Sequence, residues 1–227
     1  MTTSEFSNEF DILYNNISSN HAPGLTEYEK SVFLTNAQDA LVLELITGKN
    51  PLGDSFEKTE ELREYLTSVI RTEELHPSNE SFKIVKNSKL YESPEDLWFI
   101  IYESVSLKDD KLVCKPSEVI EVIPVTHDEF SRIYKNPFRR PKENKILRLN
   151  VSNTIELVSK YNIEKYIIRY IPVLDPIILS DISSEGLTIK GKNKKTECTL
   201  NPALHEAILG RAVQLAKTSM GLLGPGN

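Results

Sequence analysis

The stretch EVIEVIPVTHDEFSRIYKNPFRRP, residues 118–141, predicts a strand, a helix and a rigid turn in direct succession. A β-branched run over residues 119–125 suits a pleated and largely buried surface. Pro124 donates no ladder hydrogen bond, so it marks the end of the strand or an edge. Thr126 and Glu129 have the spacing of a capping box, which predicts that a helix begins directly after Thr126. We expect the rest of the chain to be organised around this unit.

The end of this stretch predicts a turn with fixed geometry. Asn136-Pro137 should end the helix, because the residue before a proline is pushed out of the helical region. Phe138-Arg139-Arg140 then stands between two prolines, which holds its side chains in nearly fixed directions. Three interpretations of this turn stay open. The turn is a solvated basic loop, an anchor on another protein chain, or a phosphate contact. An anchor is one of the alternatives because arginine and aromatic residues concentrate binding energy.

Composition indicates an ordinary soluble globular protein with one sizeable core or two small ones. The chain has 227 residues, of which 39% are hydrophobic and 26% charged. A net charge of −6 argues against a general nucleic-acid binder, although it is compatible with a local basic patch. No signal peptide and no apolar run of membrane-spanning length is evident, so we expect the chain in the cytoplasm or in something assembled there.

The two cysteines are predicted to be buried free thiols of a reducing compartment. Cys114 and Cys198 lie far apart in the sequence, each in a strand-like context. Their spacing alone does not exclude a disulfide between them.

Apolar spacing of three and four residues predicts helices at both ends of the chain. They cover residues 4–17, 27–47, 56–70 and 201–219. The first should bury a stripe consisting of Phe6, Phe10, Leu13 and Ile17. The second carries its own capping box at Thr26 and should end at Gly48. The last is announced by Asn201-Pro202, an N-cap followed by proline.

Short-period apolar runs predict strands between these helices. They cover residues 82–85, 89–91, 97–102, 112–115, 119–125, 145–150, 154–158 and 166–171. For residues 97–102 a helix start is the alternative, and the aromatic and β-branched content favours a strand. Residues 109–111 read as a tight turn and 186–191 as a hairpin. Prolines bound residues 173–179, which predicts an edge strand or an extended arm.

The order of elements predicts an α+β fold. An N-terminal helical hairpin, a third helix and the C-terminal helix should pack as a bundle, with a central, mostly antiparallel β lobe. The predicted divisions are a helical region (1–80), a β-rich lobe (81–200) with a short helix near 127–135, the last helix (201–219) and a flexible tail (220–227).

No motif for reaction chemistry is found in the sequence. The four histidines, His21, His76, His127 and His205, lack metal-ligand spacing to one another or to a cysteine. The polar clusters at 127–129 and 205–206 occupy first turns of helices, where acidic groups favour the helix dipole. No glycine-rich phosphate loop, nucleophile elbow or dinucleotide fingerprint is present. We therefore expect no enzyme activity, catalytic residue, metal or cofactor.

Several motifs carry a resemblance to a known family across nearly the full length of the chain. They are EFSNEFD with LYNN (5–16), APGL with YEKS (22–31), FLT with AQ (33–38), THDEF (126–130), NPFRRP (136–141), YIIRY (166–170), and EC, LNP and LHE (197–206). With them the chain resembles the neck, or ring, proteins of the head-to-tail connector in crAss-like and related tailed phages of Bacteroides-type hosts.

This resemblance implies a virion structural protein without catalytic residues. Such a subunit would dock as a ring beneath the portal protein, contact other neck, ring and tail proteins, and line the channel that the genome leaves through. Twelve copies would match the usual portal symmetry. Assembly would take place in the host cytoplasm, with no membrane and no specific binding of the passing DNA.

A closed ring needs two different complementary surfaces on each subunit, often with an extended arm. The candidate contacts are Phe138, Arg139 and Arg140 of the basic turn, and Pro176 and Ile177 of the proline-bounded segment. An acidic net charge would keep a channel wall from holding DNA. The alternative function is a soluble accessory DNA-binding factor that uses the Phe-Arg-Arg turn on phosphate.

Overall fold

The structure, a computed structural model, describes residues 1–15, 24–48, 60–78, 83–86, 88–108, 120–142, 144–151 and 153–221. Its helices are α1 (Thr3–Asn15), α2 (Glu27–Thr47), α3 (Glu60–Thr67), α4 (His127–Lys135) and α5 (His205–Ser219). Its strands are β1 (Arg71–Glu74), β2 (Lys89–Glu92), β3 (Leu97–Leu107), β4 (Ile120–Pro124), β5 (Lys145–Val151), β6 (Thr154–Val158) and β7 (Ile163–Pro172). The predicted α+β class is confirmed.

The chain forms two compact units. The helical unit comprises Met1–Val69 and Leu174–Asn227, and the β unit comprises Ile70–Val173. Residues 174–200 thus belong with the helices, whereas the sequence placed them in a lobe spanning 81–200. Their hydrogen bonds explain the difference, because the backbone of this segment is held by polar side chains of α2.

Helix α2 has the ends that its sequence predicts. The hydroxyl of Thr26 accepts a hydrogen bond from the Glu29 backbone N–H, and the Glu29 carboxylate accepts one from the Thr26 N–H at 2.8 Å. Gly48 ends the helix in the left-handed conformation, with φ of 71°. Both ends of α2 are therefore confirmed.

Helix α1 buries a different stripe from the predicted one. Thr3, Phe6, Phe10 and Tyr14 are buried, whereas Leu13 is 40% exposed. The prediction for Leu13 is wrong because Tyr14 takes the inward position, where its ring stacks on Phe10 with 6.1 Å between centroids. Ile17 lies outside the described residues.

Residues 174–182 run along α2 and add to the core of the helical unit. Ile178 and Ile182 are buried with Ile189, and Tyr28 and Val32 of α2 pack against them. The Ser31 hydroxyl accepts a hydrogen bond from the backbone N–H of Leu179 at 3.0 Å. Ile178 and Thr196 exchange backbone hydrogen bonds at 3.0 Å, so the segment is held both by a backbone bridge and by side chains of α2.

The predicted hairpin at residues 186–191 is confirmed. Ile189 and Lys192 exchange backbone hydrogen bonds around Lys190 and Gly191, whose φ values of 48° and 76° are those of a tight hairpin turn. The Lys190 ammonium lies 2.7 Å from the carboxylate of Asp39 on α2. The charged tip is therefore held against the helix.

The strands of the β unit form one sheet in the order β1-β7-β3-β4-β5-β6-β2. Among the described strands, only β4 and β5 pair in parallel, and the other neighbouring pairs are antiparallel. The predictions of strands for residues 89–91, 97–102, 145–150, 154–158 and 166–171 are confirmed.

The segment 71–78 joins the two ends of this strand order. Its first half is β1, which pairs with β7. Its second half pairs with the other end of the sheet, where Pro77 bridges Tyr91 and the Ser78 N–H donates to the Leu90 carbonyl at 2.8 Å. The described strands therefore close into a barrel, which removes exposed sheet edges. Its interior is a single apolar cluster with members on each of the strands β2 to β7.

The predicted strand at residues 82–85 is wrong over the described residues 83–85, which form a bend. The cause is Glu156 on β6, whose side chain is fully buried. Its carboxylate accepts hydrogen bonds from the backbone N–H groups of Ile84 and Val85 at 3.0 and 2.9 Å, and from the Ser88 hydroxyl. Wrapping around a buried carboxylate satisfies these donors without a strand partner.

Four further predictions lie partly or wholly outside the described residues. The third helix is observed from Glu60, and the predicted start at residues 56–59 lies outside them, as do the strand 112–115, the turn 109–111 and most of the tail. The last helix is preceded by a 3₁₀ turn, Pro202–Leu204, and the Asn201 side chain accepts a hydrogen bond from the Ala203 N–H at 3.0 Å. The predicted N-cap is therefore confirmed.

Candidate subunit-contact site

Helix α4 lies on the outer face of the barrel and carries the candidate contact site. It leaves β4 directly, and its Phe130 and Ile133 pack against the cluster of Val125, Leu147, Leu149 and Val158. No residue of α4 is fully buried. The helix is therefore attached through one narrow apolar stripe, and its other faces are accessible.

The start of α4 is where the sequence places it, but the predicted capping box is wrong. The Thr126 side chain makes no capping hydrogen bond. The Glu129 carboxylate instead accepts a hydrogen bond from Arg132 at 2.7 Å, one turn further along. His127 fixes this end of the helix, because its Nε2 lies 2.8 Å from the backbone carbonyl of Asn150. His127 and Glu129 thus each contact another group of the protein at the start of the helix.

The Phe138-Arg139-Arg140 turn is held by Asn136. The Asn136 side-chain oxygen accepts a hydrogen bond from the Phe138 N–H at 2.9 Å. The Asn136 backbone carbonyl accepts hydrogen bonds from the backbone N–H groups of Arg139 and Arg140 at 3.1 and 2.9 Å. The backbone is fixed and the side chains face outward, with Phe138 83% exposed.

This turn belongs to a larger basic surface. Residues 131–142 contain five basic and no acidic residues. All five basic side chains are exposed, and among the described residues only Arg132 pairs with a carboxylate. We define the basic-aromatic surface as Tyr134, Lys135, Phe138, Arg139, Arg140 and Lys142. Tyr134 is 44% exposed and contacts Phe130 with 5.3 Å between ring centroids.

The other two candidate contacts, Pro176 and Ile177, are buried inside the helical unit. The backbone N–H of Ile177 donates to the Thr35 hydroxyl at 3.1 Å, and the Gln38 amide donates to the Asp175 carbonyl at 2.9 Å. A segment held in this way is not a free arm. We therefore expect Pro176 and Ile177 to make no contact with a neighbouring chain.

Inside the barrel, a polar network is buried among apolar side chains. Arg148 Nε lies 3.2 Å from a carboxylate oxygen of Glu103, and the Tyr166 hydroxyl donates to the other oxygen. Burial raises the pKa of Glu103, and Arg148 and the hydrogen bond from Tyr166 offset part of that rise. Burial and the neighbouring carboxylate raise the pKa of Tyr166. Glu103 is thus held by one hydrogen bond and one ion pair, while Arg148 Nε is paired by charge without a hydrogen bond.

His205 and Cys198 also have structural partners. His205 is buried, contacts Phe6 with 5.3 Å between ring centroids, and has its pKa lowered by burial. Cys198 is a free thiol that lies 3.3 Å from the Gln38 side-chain oxygen, and burial raises its pKa, which disfavours the reactive thiolate. Among the described residues, no three His, Cys, Asp or Glu side chains are grouped to hold a metal ion.

Among the described residues, a barrel with closed edges and an exposed turn of one aromatic and two arginine side chains are features of a protein that contacts other proteins. The chain matches the family model "Phage tail ring protein 3/4" over residues 1–225. It therefore belongs to this family of phage structural ring proteins.

Two curated relatives come from Bacteroides phage crAss001. The chain is 45% identical to "Ring protein 3" over 95% of both chains. It is 36% identical to "Ring protein 4/5" over 96% of this chain and 93% of that protein. The resemblance drawn from the sequence motifs, to ring proteins of crAss-like phages, is confirmed. Among the described residues, no helix is long and apolar enough to cross a membrane.

The sequence predicted the exposed turn but not that exposed residues of α4 extend the same surface. Its exposed aromatic and arginines were predicted from NPFRRP alone. Tyr134 and Lys135 are also exposed, because Phe130 and Ile133 are the residues of α4 that pack against the barrel. The signal was present in the run of basic residues from 132 to 142, which contains no acidic residue.

Proposed function

We propose that this chain is a ring subunit of the phage head-to-tail connector. In that place it docks beneath the portal protein, joins the capsid to the tail and lines the channel that the genome leaves through. The observation that carries the proposal is the family match over residues 1–225. The higher identity to "Ring protein 3" supports the corresponding ring rather than that of "Ring protein 4/5".

A ring contact must join two different surfaces of one chain, and the structure limits what they are. Because segment 71–78 closes the barrel, strand addition between copies has no open edge among the described strands. The contact then rests on side chains. The basic-aromatic surface supplies one half, since arginine and aromatic side chains dominate protein interfaces. Twelve copies in one ring would match the symmetry of a portal.

The charge of the chain supports a channel that lets DNA pass. A net charge of −6 disfavours retention of phosphate along the wall. The basic-aromatic surface is assigned to protein contact in this proposal, so it does not face the lumen. The subunit has no enzyme activity, assembles in the host cytoplasm and remains in the virion.

Quantitative mass spectrometry of purified virions tests this proposal. We expect the chain to be present at a fixed ratio to the portal protein, at one copy per portal subunit for a twelve-membered ring. Electron microscopy of particles made without the chain should show heads lacking tails. Absence of the chain from purified virions, or normal tailed particles without it, would refute the connector role.

One observation favours a second function, the binding of DNA as a soluble accessory factor: five exposed basic residues within residues 131–142. If this function holds, duplex DNA binds the purified chain at physiological salt, and Arg139→Ala/Arg140→Ala lowers the salt slope by about two. We expect no retention of duplex DNA by the wild-type chain. Retention would replace the first proposal's account of this surface.

A further inference from the structure

Helix α1 presents an outer face that is both acidic and aliphatic. Glu5, Glu9 and Ile12 follow one another at spacings of four and three, which puts them on one side of the helix. Ile12 is 58% exposed, and Leu13 beside it is 40% exposed. We call Glu5, Glu9, Ile12 and Leu13 the acidic-aliphatic face. The opposite side of α1 is the buried stripe of the helical unit.

Helix α1 carries only negative side-chain charges. Residues 3–15 hold three acidic side chains and no basic one. Asp11 is already paired, 2.6 Å from the buried ammonium of Lys30, so it belongs to the packing of α1 on α2. Glu5 and Glu9 remain outside that ion pair. A backbone hydrogen bond from Thr2 lowers the pKa of Glu5, which keeps its carboxylate ionised.

The two exposed surfaces of the chain complement each other group by group. The basic-aromatic surface offers Phe138 with two guanidinium groups beside it. The acidic-aliphatic face offers Ile12 with two carboxylates beside it. Arginine pairs with carboxylates through two parallel hydrogen bonds, and an exposed aromatic ring gains free energy when it leaves water to pack on an aliphatic side chain.

We propose that the basic-aromatic surface of one copy binds the acidic-aliphatic face of α1 on a second copy of this chain. This inference rests on the proposed ring function, and it names the two halves of the ring contact. The contact is heterologous, because it joins two different surfaces, and a bound pair keeps the acidic-aliphatic face of one copy and the basic-aromatic surface of the other unused. Such a contact propagates from copy to copy and closes where the rotation permits.

Photocrosslinking tests which surface Phe138 contacts. A chain with benzoylphenylalanine in place of Phe138 is mixed with ¹⁵N-labelled wild-type chain, irradiated and digested with trypsin. The first Lys or Arg of the chain is Lys30, so α1 lies within one tryptic peptide, Met1–Lys30. We expect crosslinks to the labelled form of that peptide. The matched control places the same photoreactive residue at Tyr102, an aromatic residue of the β unit that is 48% exposed.

Charge reversal tests the pairing independently. Arg139→Glu/Arg140→Glu and Glu5→Lys/Glu9→Lys should each weaken self-association, seen by sedimentation velocity, by at least about tenfold. An equimolar mixture of the two variants should restore it, because both contacts between unlike copies regain opposite charges. Lys194→Glu/Lys195→Glu, an equal charge change at exposed residues, is the control. If the loss of Glu5 unfolds α1, seen by circular dichroism, Glu9→Lys alone replaces the double variant.

The outcomes separate this inference from the ring function. Crosslinks to labelled peptides other than Met1–Lys30, or no crosslink at the highest attainable concentration, overturn the pairing. A mixture of charge-reversed variants that stays dissociated overturns it as well. In those cases the connector role still stands if the chain is found in virions at a fixed copy number.

Discussion

The buried carboxylate of Glu156 should be a major source of stability for the β unit. Glu156→Ala removes the acceptor of two backbone N–H groups, at 3.0 and 2.9 Å, and of the Ser88 hydroxyl. A hydrogen bond to a charged group contributes ~1.5–3 kcal/mol, and a donor left unsatisfied costs ~1–3 kcal/mol. Residues 84–86 can move toward water and recover part of this loss. We therefore expect the free energy of unfolding to fall by ~3–5 kcal/mol.

Urea unfolding followed by tryptophan fluorescence measures this loss. Trp98 on β3 is the only tryptophan of the chain, so its signal reports the β unit. Glu156→Gln keeps the shape but replaces one acceptor oxygen with an amide donor, and it should lose an intermediate amount. Glu164→Ala on β7, an exposed glutamate, is the control and should change stability by less than ~0.5 kcal/mol. A loss below ~1 kcal/mol for Glu156→Ala would refute the reasoning.

Three further predictions follow from other contacts. Arg148→Met leaves Glu103 buried without its cation. Burial raises the pKa of Glu103 in the folded state above 4.5, so the protonated form of Glu103 favours folding. Arg148→Met should therefore lower the free energy of unfolding by ~3–5 kcal/mol at neutral pH and by less in acid. Urea unfolding midpoints at the two pH values measure this difference. Thr26→Ala should cost ~1 kcal/mol in thermal unfolding, and Thr126→Ala much less, because only Thr26 makes capping hydrogen bonds; equal losses would contradict this. Phe138→Ala should leave the melting temperature unchanged while weakening self-association, and a lowered melting temperature would show an internal packing role.

The elements that local sequence decides were predictable. The ends of α2 depend on Thr26, Glu29 and Gly48, which act within one or two turns of the chain. The strands were predictable because β-branched runs of this kind suit buried positions wherever they pair. The exposed turn was predictable for a similar reason, since prolines and Asn136 set its backbone locally.

The features that depend on distant partners were not predictable. The bend at 83–85 follows from a carboxylate some 70 residues later, and Glu156 looks like any strand glutamate in the sequence. Residues 173–179 were predicted to be an edge strand or an extended arm, because the sequence does not show that hydroxyls and an amide of α2 hold the backbone of this segment. The choice of Tyr14 over Leu13 depends on which neighbours α1 meets. The closure of the barrel through residues 71–78 joins strands that no pattern marks as neighbours.

The small free energy of the proposed contact explains how such a ring would form. Burying one phenylalanine contributes ~2 kcal/mol, and each partly exposed arginine–carboxylate pair adds ~0–1 kcal/mol. These contributions are smaller than the cost of fixing two free molecules together, which is ~4–15 kcal/mol. A single contact is therefore weak, and free copies associate through it only at high protein concentration. Copies that are already held on a common platform no longer incur most of that cost, so the same contacts then join neighbours effectively. Assembly by this route is confined to the site where a platform exists, which suits a ring whose place in the virion must be unique.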